Sequence, residues 1–314
     1  MKKRYLIGNI LASLAVILLS GCGESKQQFT YRVHLVSDLK IAAFPNTDYK
    51  DSEMILQVSL IEKDASENKI VEVSIESIQA SMISMHFSFD YDSNVHVDEE
   101  IINDTQEERE ITFRNSFAGL VRKKYQAMVG PQGNVIKLLE IDPRIKRVLD
   151  SKATGVSGML GEDQVKMLLG NESLVEWARL GVAAGVAKNK SGEQWQESVS
   201  VFVPNLIKPL QTDRKYIFQA REKLGREPVA RFAIKTSKGE NPEARSTKGG
   251  LEVVSLNSSG EVTWSLQHGN VKKLSENMKM EVRYSQGAKT PVRKDGGMKI
   301  FQIMDKTIEE IEPL

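Results

Sequence analysis

The residue types that most often do chemistry are scarce in this chain: its 314 residues include one cysteine and four histidines. His34, His86, His96 and His268 are scattered, and none has a second ligand four residues on, so the zinc-protease spacing is absent. His34 and His86 fall on the polar side of alternating runs and read as surface residues. Asp90-Tyr91-Asp92-Ser93-Asn94 matches the first three ligand positions of a calcium loop. Val95 then stands where the turn glycine belongs and Ile101 where the bidentate glutamate belongs, so a plain acidic loop is expected. Gly155-Val156-Ser157-Gly158 lacks the second glycine of a nucleophile elbow. The evenly spaced Gly155, Gly158 and Gly161 have no strand before them and no Lys-Ser/Thr behind them, so a linker is expected rather than a phosphate cradle. Neither a catalytic residue nor a metal or cofactor site follows from these patterns.

A single cysteine cannot make an intramolecular disulfide, so Cys22 needs another role. Its position supplies one. Met1-Lys2-Lys3-Arg4 is a cationic start, Tyr5 to Leu19 is almost wholly apolar, and the small residues Ser20 and Gly21 follow. This is the layout of an export signal with its cleavage point. Leu19-Ser20-Gly21-Cys22 resembles, at all four positions, the lipobox of bacterial lipoproteins. That resemblance implies cleavage before Cys22 and acylation of its thiol and new amino group. Two or more acyl chains make stable anchoring where one does not. An uncleaved anchor is the alternative, but the apolar run is short against the roughly 20 residues that span a bilayer. Gly23 to Gln28 then forms a polar tether of about 20 Å when extended. In enterobacterial lipoproteins an Asp at the position of Gly23 commonly retains the protein at the inner membrane. By that resemblance Gly23 implies an outer-membrane location facing the periplasm.

The elements that must position any site are mostly strands. Phe29, Tyr31, Val33 and Leu35 alternate with polar residues, as do Met54 to Leu60, Val71 to Ile75 and a run from Ile83 to Tyr91. An acidic stretch over residues 90–110 reads as a solvated connection. Val121 to Val129, Gly130-Pro131-Gln132-Gly133 and Val135 to Leu139 read as a hairpin. Asp142-Pro143 looks like a helix start, Asp163 to Leu169 like a short helix, and Asn171-Glu172-Ser173 like the cap of a longer one reaching Val186. Strands resume at Trp195. Tyr216 and Phe218 pair with Phe232 and Ile234, and Leu251 to Leu256 and Val262 to Leu266 flank Asn257-Ser258-Ser259-Gly260 as a further hairpin. Met278 to Tyr284 and Phe301 to Met304 close the pattern. Gly133-Asn134-Val135 and Gly260-Glu261-Val262 echo each other, which duplication of a β unit would produce and chance would too.

The expectation is an α+β fold: a mainly antiparallel, curved β-sheet with a central helical insert and room for two related β halves. The divisions are a signal peptide over 1–21, a tether over 22–28, a β-rich half over 29–141, a helical insert over 142–190 and a second β-rich half over 191–314. The Tyr125…Gly133-x-Val135 hairpin, Gly192-Glu193-Gln194-Trp195 and the Gly260 segment resemble an uncharacterised family of β-rich secreted lipoproteins found in planctomycetes and related bacteria. That resemblance implies an envelope protein and transfers no active site.

Acidic and basic residues nearly cancel, at a formal net charge of +1, which gives no basis for nucleic-acid binding. The leading functional expectation is a non-enzymatic binding or scaffold module on a membrane. The alternative is a periplasmic lipid or lipoprotein carrier with a cavity between curved sheet and helices. Met82, Met85, Met278 and Met280 would suit a greasy pocket, and Trp177, Trp195 and Trp264 could line one, although core packing is the commoner use of both types. A hydrolase would need titratable groups clustered in a cleft. Replacing Cys22 with alanine is expected to release the body from the membrane fraction and to stop processing before position 22. Cell fractionation and intact-mass measurement check both.

Overall fold

The computed structural model describes residues 27–42, 44–63, 68–84, 87–95, 117–131, 133–150, 165–166, 168–181, 193–201, 209–239, 251–284 and 298–312. The signal, Cys22, Met85, His86, His96, most of the acidic stretch, Gly155 to Gly161 and Gly192 lie outside them.

Twelve strands make one sheet, all of whose pairings are antiparallel. They are β1 (Gln28–Ile41), β2 (Phe44–Lys63), β3 (Lys69–Ser84), β4 (Phe87–Asp92), β5 (Lys124–Val129), β6 (Val135–Ile141), β7 (Gln194–Val201), β8 (Leu210–Leu224), β9 (Glu227–Lys238), β10 (Leu251–Ser265), β11 (Val271–Tyr284) and β12 (Met298–Ile311). Their order is β6-β5-β3-β2-β1-β12-β11-β10-β9-β8-β7, with β4 beside β3. The chain therefore begins at the centre in β1 and steps outward to β6. It crosses to the far edge through helices α1 (Pro143–Asp150) and α2 (Asn171–Arg179), then steps back inward. β12 closes the circuit against β1, from Thr30 opposite Ile311 to Ile41 opposite Ile300.

The expected α+β class with a central helical insert is overturned. Among the described residues the helices are short links between two edges of a single sheet, and they do not separate two β domains. The strands are longer than their apolar centres suggested. β2 runs 20 residues and β3 16, against a usual five or six, and their polar ends were read as connections.

Three local readings also change. The run from Ile83 to Tyr91 is a hairpin: Ser84 pairs with Phe87 and Met82 with Phe89. Reversal across two residues switches the parity of the alternation, so Met82 and Phe89 both face the core while Ile83 is 57% exposed. Helix α2 ends at Arg179 and starts after Gly170, with Asn171 inside it and no side-chain cap bond. Asn257 to Gly260 is not a turn, because β10 continues straight through it. Gly260 is needed there for close approach. A Cβ at this position would sit 2.1 Å from the Ser275 carbonyl oxygen and 2.8 Å from the Glu276 Cα. Gly133, by contrast, lies in a turn at φ 78°, so the two Gly-x-Val segments share letters and not structure.

The sheet is curled. Laid flat, the eleven strands of its main path would span about 48 Å. Helix α2 is nine residues, about 13 Å, yet it touches β5 and β6 near one edge and β7 at the other. Only a trough-shaped sheet brings both edges to so short a helix. Register shifts at Ile55/Leu56, Val253/Ser255 and Phe218/Ala220 supply local bends. The inner face carries the core: Tyr31, Val33, Met54, Leu56, Val58, Val71, Val73 and Ile75 are at most 1% exposed, and they pack on Leu174, Trp177 and Ala178 of α2. Gly260→Val would drive a side chain into β11 backbone that cannot swing aside. It is expected to destabilise the fold by at least about 1–3 kcal/mol, read from chemical denaturation midpoints.

Candidate functional site

Helix α2 has two usable faces. Leu174, Trp177 and Ala178 point into the core, at the i, i+3, i+4 spacing of one stripe. Buried donors pin this side. The Tyr125 hydroxyl donates to the Leu174 carbonyl at 2.7 Å, and the Trp177 indole N–H donates to the Leu168 carbonyl at 2.7 Å. At the carboxyl end the Leu180 carbonyl accepts from the Tyr31 hydroxyl at 2.9 Å and from the Val271 N–H at 2.8 Å. These bonds satisfy carbonyls that a helix end otherwise leaves open. The other face, with Glu172, Val175, Glu176 and Arg179, looks onto a hollow.

That hollow has a volume of about 380 Å³. Both sheet edges reach it, Val135 from β6 and Val199 and Val201 from β7, while Leu35, Met278 and Met304 come from the trough floor. With Val175 they make seven apolar lining residues. Arg214, Glu276 and Lys306 from the sheet, with Glu176, Arg179 and Glu197, make a charged wall beside them, Glu276 and Lys306 each two positions along a strand from Met278 and Met304. A smaller void of about 40 Å³ shares Glu176, Arg179 and Arg214 and is closed by Tyr216, Trp264 and Leu274. The charged wall is therefore a partition across the interior.

Within the partition every charge is matched. Glu276, with its side chain 1% exposed, has both oxygens doubly occupied. Oε1 accepts from the Ser258 hydroxyl at 2.5 Å and the Thr236 hydroxyl at 3.1 Å. Oε2 accepts from Arg214 Nη2 at 3.0 Å and lies 3.2 Å from Lys306 Nζ. Arg214 Nη1 donates to Glu176 Oε1 at 3.3 Å, and Lys306 Nζ donates to the same oxygen at 2.7 Å. Alongside, Arg179 donates to Glu197 at 2.6 Å, and the Tyr216 hydroxyl donates to the other oxygen of Glu197 at 2.8 Å. Three cations thus stand against three carboxylates. Nearby on the inner face, Lys272 bridges Glu227 at 2.9 Å and Glu310 at 2.8 Å.

Electrostatics follow from this geometry. Burial alone would raise the Glu276 carboxyl, but Arg214, Lys306 and the Ser258 hydroxyl outweigh it and hold the group well below the usual carboxylate range. Glu176 is lowered likewise, with burial opposed by Lys306 and Arg214. Burial would lower Arg214, yet Glu276 and its neighbours push it well above its ordinary value. Burial pushes the Tyr216 phenol up to about 12, with Glu197 adding to the effect and Arg214 opposing it. Acid–base catalysis by paired carboxylates needs one kept protonated and one ionised. Here Glu176 and Glu276 are both shifted toward the ionised form, each by the neighbouring Arg214 and Lys306, so the pair is not split in that way.

The residues singled out from sequence fall elsewhere or into lesser roles. His34 is on the outer face, its Nε2 2.7 Å from Asp51. Asp90 and Asp92 line a shallow outer depression with His34, Asp51, Glu53 and Gln79. The Asn94 N–H donates to Asp92 Oδ1 at 2.8 Å, an Asx turn, and the rest of the stretch compared with a calcium loop, from His96 to Ile101, lies outside the described residues. No group of metal-binding side chains occurs among the described residues. Trp195 and Trp264 join Tyr216, Phe218 and Phe232 in an aromatic cluster of the core, with Trp195 stacked on Tyr216 at 4.8 Å. Trp177 borders the hollow, as does Met278. Met82 and Met280 are buried in the core. Cys22 and Ser157 lie outside the described residues. Sequence reasoning missed the whole charged wall. Its signal was present: Arg214 lies between Thr212 and Tyr216, Glu276 between Leu274 and Met278, and Lys306 between Met304 and Ile308, each a charge in the inward phase of an alternating strand.

Both Glu176 and Glu276 titrate lower in the folded chain than unfolded carboxyls near 4.3. As pH falls the unfolded chain takes up protons first, so their stabilisation is complete above about pH 5 and is lost below it. Glu276→Gln leaves Arg214 and Lys306 short of a counter-charge. It is expected to cost about 3–5 kcal/mol at pH 7 and to flatten the acid limb of a stability–pH curve from denaturant titrations.

No family model matches the chain, and no curated protein matches it. Among solved structures it is similar to one of lipid–protein interactions in lipovitellin, with a TM-score of 0.46 and 8% identity over 90% of this chain and 25% of that one. The chain thus spans about a quarter of that protein. It is also similar to the translocator domain of the autotransporter NalP from Neisseria meningitidis, with a TM-score of 0.21 and 6% identity, covering 97% of this chain and 95% of that one. A DUF1329 family protein from Desulfovibrio piger gives a TM-score of 0.17 and 8% identity, covering 98% and 93%. At such scores the likenesses bear on neither mechanism nor ligand.

Proposed function

We propose that this chain is a lipid-anchored envelope protein that holds an amphiphile between its curled sheet and helix α2. One observation carries the reading: a hollow of about 380 Å³ whose lining combines apolar side chains with polar and charged ones. That volume is within the roughly 300–1,000 Å³ of small-molecule sites, toward the lower end, and suits a single chain better than a bulky multi-chain lipid. Met278 and Met304 give the apolar lining a surface that adapts to flexible chains. A scaffold would account for an anchor equally well, but it has no use for an interior space. The binding reading uses both.

The export signal and Cys22 support the anchor, and Gly23 supports an outer-membrane position facing the periplasm. The described body begins just after the short tether, so its interior would stand close to a lipid source. Native mass spectrometry of protein purified from its own membranes is expected to show an adduct of amphiphile mass. A fluorescent acyl probe should bind the protein and be displaced by that lipid. Met278→Trp, which fills the hollow, should weaken probe binding at least about tenfold while circular dichroism stays unchanged. Protein with neither an adduct nor any affinity for the probe would overturn the proposal.

A further inference from the structure

We infer, resting on the amphiphile reading above, that the ligand carries no net negative charge: it is a single-chain amphiphile whose polar end is uncharged or zwitterionic. The argument is one of charge balance in a confined space. Among the described residues, Arg179, Arg214 and Lys306 are the cations that line the hollow, and each is already engaged, at 2.6 to 3.3 Å, by Glu197, Glu176 or Glu276. Glu172 adds a further, half-buried carboxylate to the lining without adding a cation. An anionic polar end would therefore have to displace a carboxylate that cannot leave, or sit beside carboxylates with no free positive partner. Desolvating an unmatched charge costs several kcal/mol, and like charges brought together add to it.

An uncharged polar end meets no such barrier. Asn134 and Asn171 also line the hollow and carry amides that bond such groups. The site thus selects by exclusion, placing repulsion where the wrong ligand's charge would fall.

Competition against the fluorescent acyl probe tests this with ligands of one chain length: a monoacylglycerol, a lysophosphatidylcholine, the free fatty acid and a lysophosphatidylglycerol. The first two are expected to bind at least about tenfold more tightly than the last two. Two variants move the balance in opposite directions. Glu176→Gln removes one carboxylate and should raise fatty-acid affinity at least about tenfold relative to monoacylglycerol. Lys306→Gln removes one cation and should favour an alkylammonium of the same chain. Equal affinity of the unmodified protein for neutral and anionic ligands would overturn the inference and leave amphiphile binding standing. Binding of none of the four would overturn the amphiphile reading itself. The comparison among ligands on the unmodified protein holds whether or not either variant folds.

Discussion

Everything in the interior is arranged around one carboxylate that has nowhere to go. Glu276 sits on the inner face of a sheet with its side chain 1% exposed, where an unpaired charge would force it to protonate or force the strand to turn over. It does neither, because four donors from four different strands converge on its two oxygens: Ser258 on β10, Thr236 on β9, Arg214 on β8 and Lys306 on β12. Such convergence requires β10 to lie close. Gly260, the residue directly across from Glu276, meets that need by having no side chain. The same two cations reach the helix through Glu176, so the charge that the sheet buries is also what holds α2 across the trough.

Such a partition is weak evidence for stability as such, since buried ion pairs replaced by well-packed apolar residues often lose nothing. Its meaning is positional. An all-apolar trough with a helix on it would collapse to native packing density, as the half around Tyr31, Leu56 and Val73 does. Charged side chains that must stay paired cannot interdigitate in that manner. They stand across the interior paired to one another, and the hollow beside them is bordered by Met278, Met304 and Val199 as well.

This division explains what the sequence made legible. Alternation located the cores of β1, β2, β3, β8 and β9, because a half-buried strand announces its period directly, and the Gly130 to Gly133 turn announced itself through its glycines. It failed where a local signal has two physical meanings. Gly260 marks a turn or a close approach, and only the neighbouring strand decides which. The odd-numbered apolar run from Ile83 to Tyr91 fits one strand or a tight hairpin, which reversal alone distinguishes. The α+β expectation failed for a related cause: the helical segments were visible, but the length of the strands enclosing them was hidden by polar residues at strand ends. The charged wall failed for the deepest reason. Arg214, Glu276 and Lys306 are separated by up to 92 positions, and an inward charge on one strand looks like a defect until its partners are known.

Because Glu176 and Arg179 belong both to the roof and to the lining, the position of the helix and occupation of the hollow cannot be independent. A molecule that fits only when α2 is seated binds that arrangement in preference to any other, and by mass action it stabilises the contacts that seat it. The core-facing anchors of α2 from Tyr125, Tyr31 and Trp177 do not touch that space with their hydrogen bonds, so they fix the helix whether or not it is filled. The ion pairs on the opposite face border that space directly. They are made of long side chains, and Arg214 and Lys306 each bridge Glu176 on the helix and Glu276 on the sheet at once. Aromatic donors on its core face and ion pairs on the other thus hold α2 across the trough from both sides.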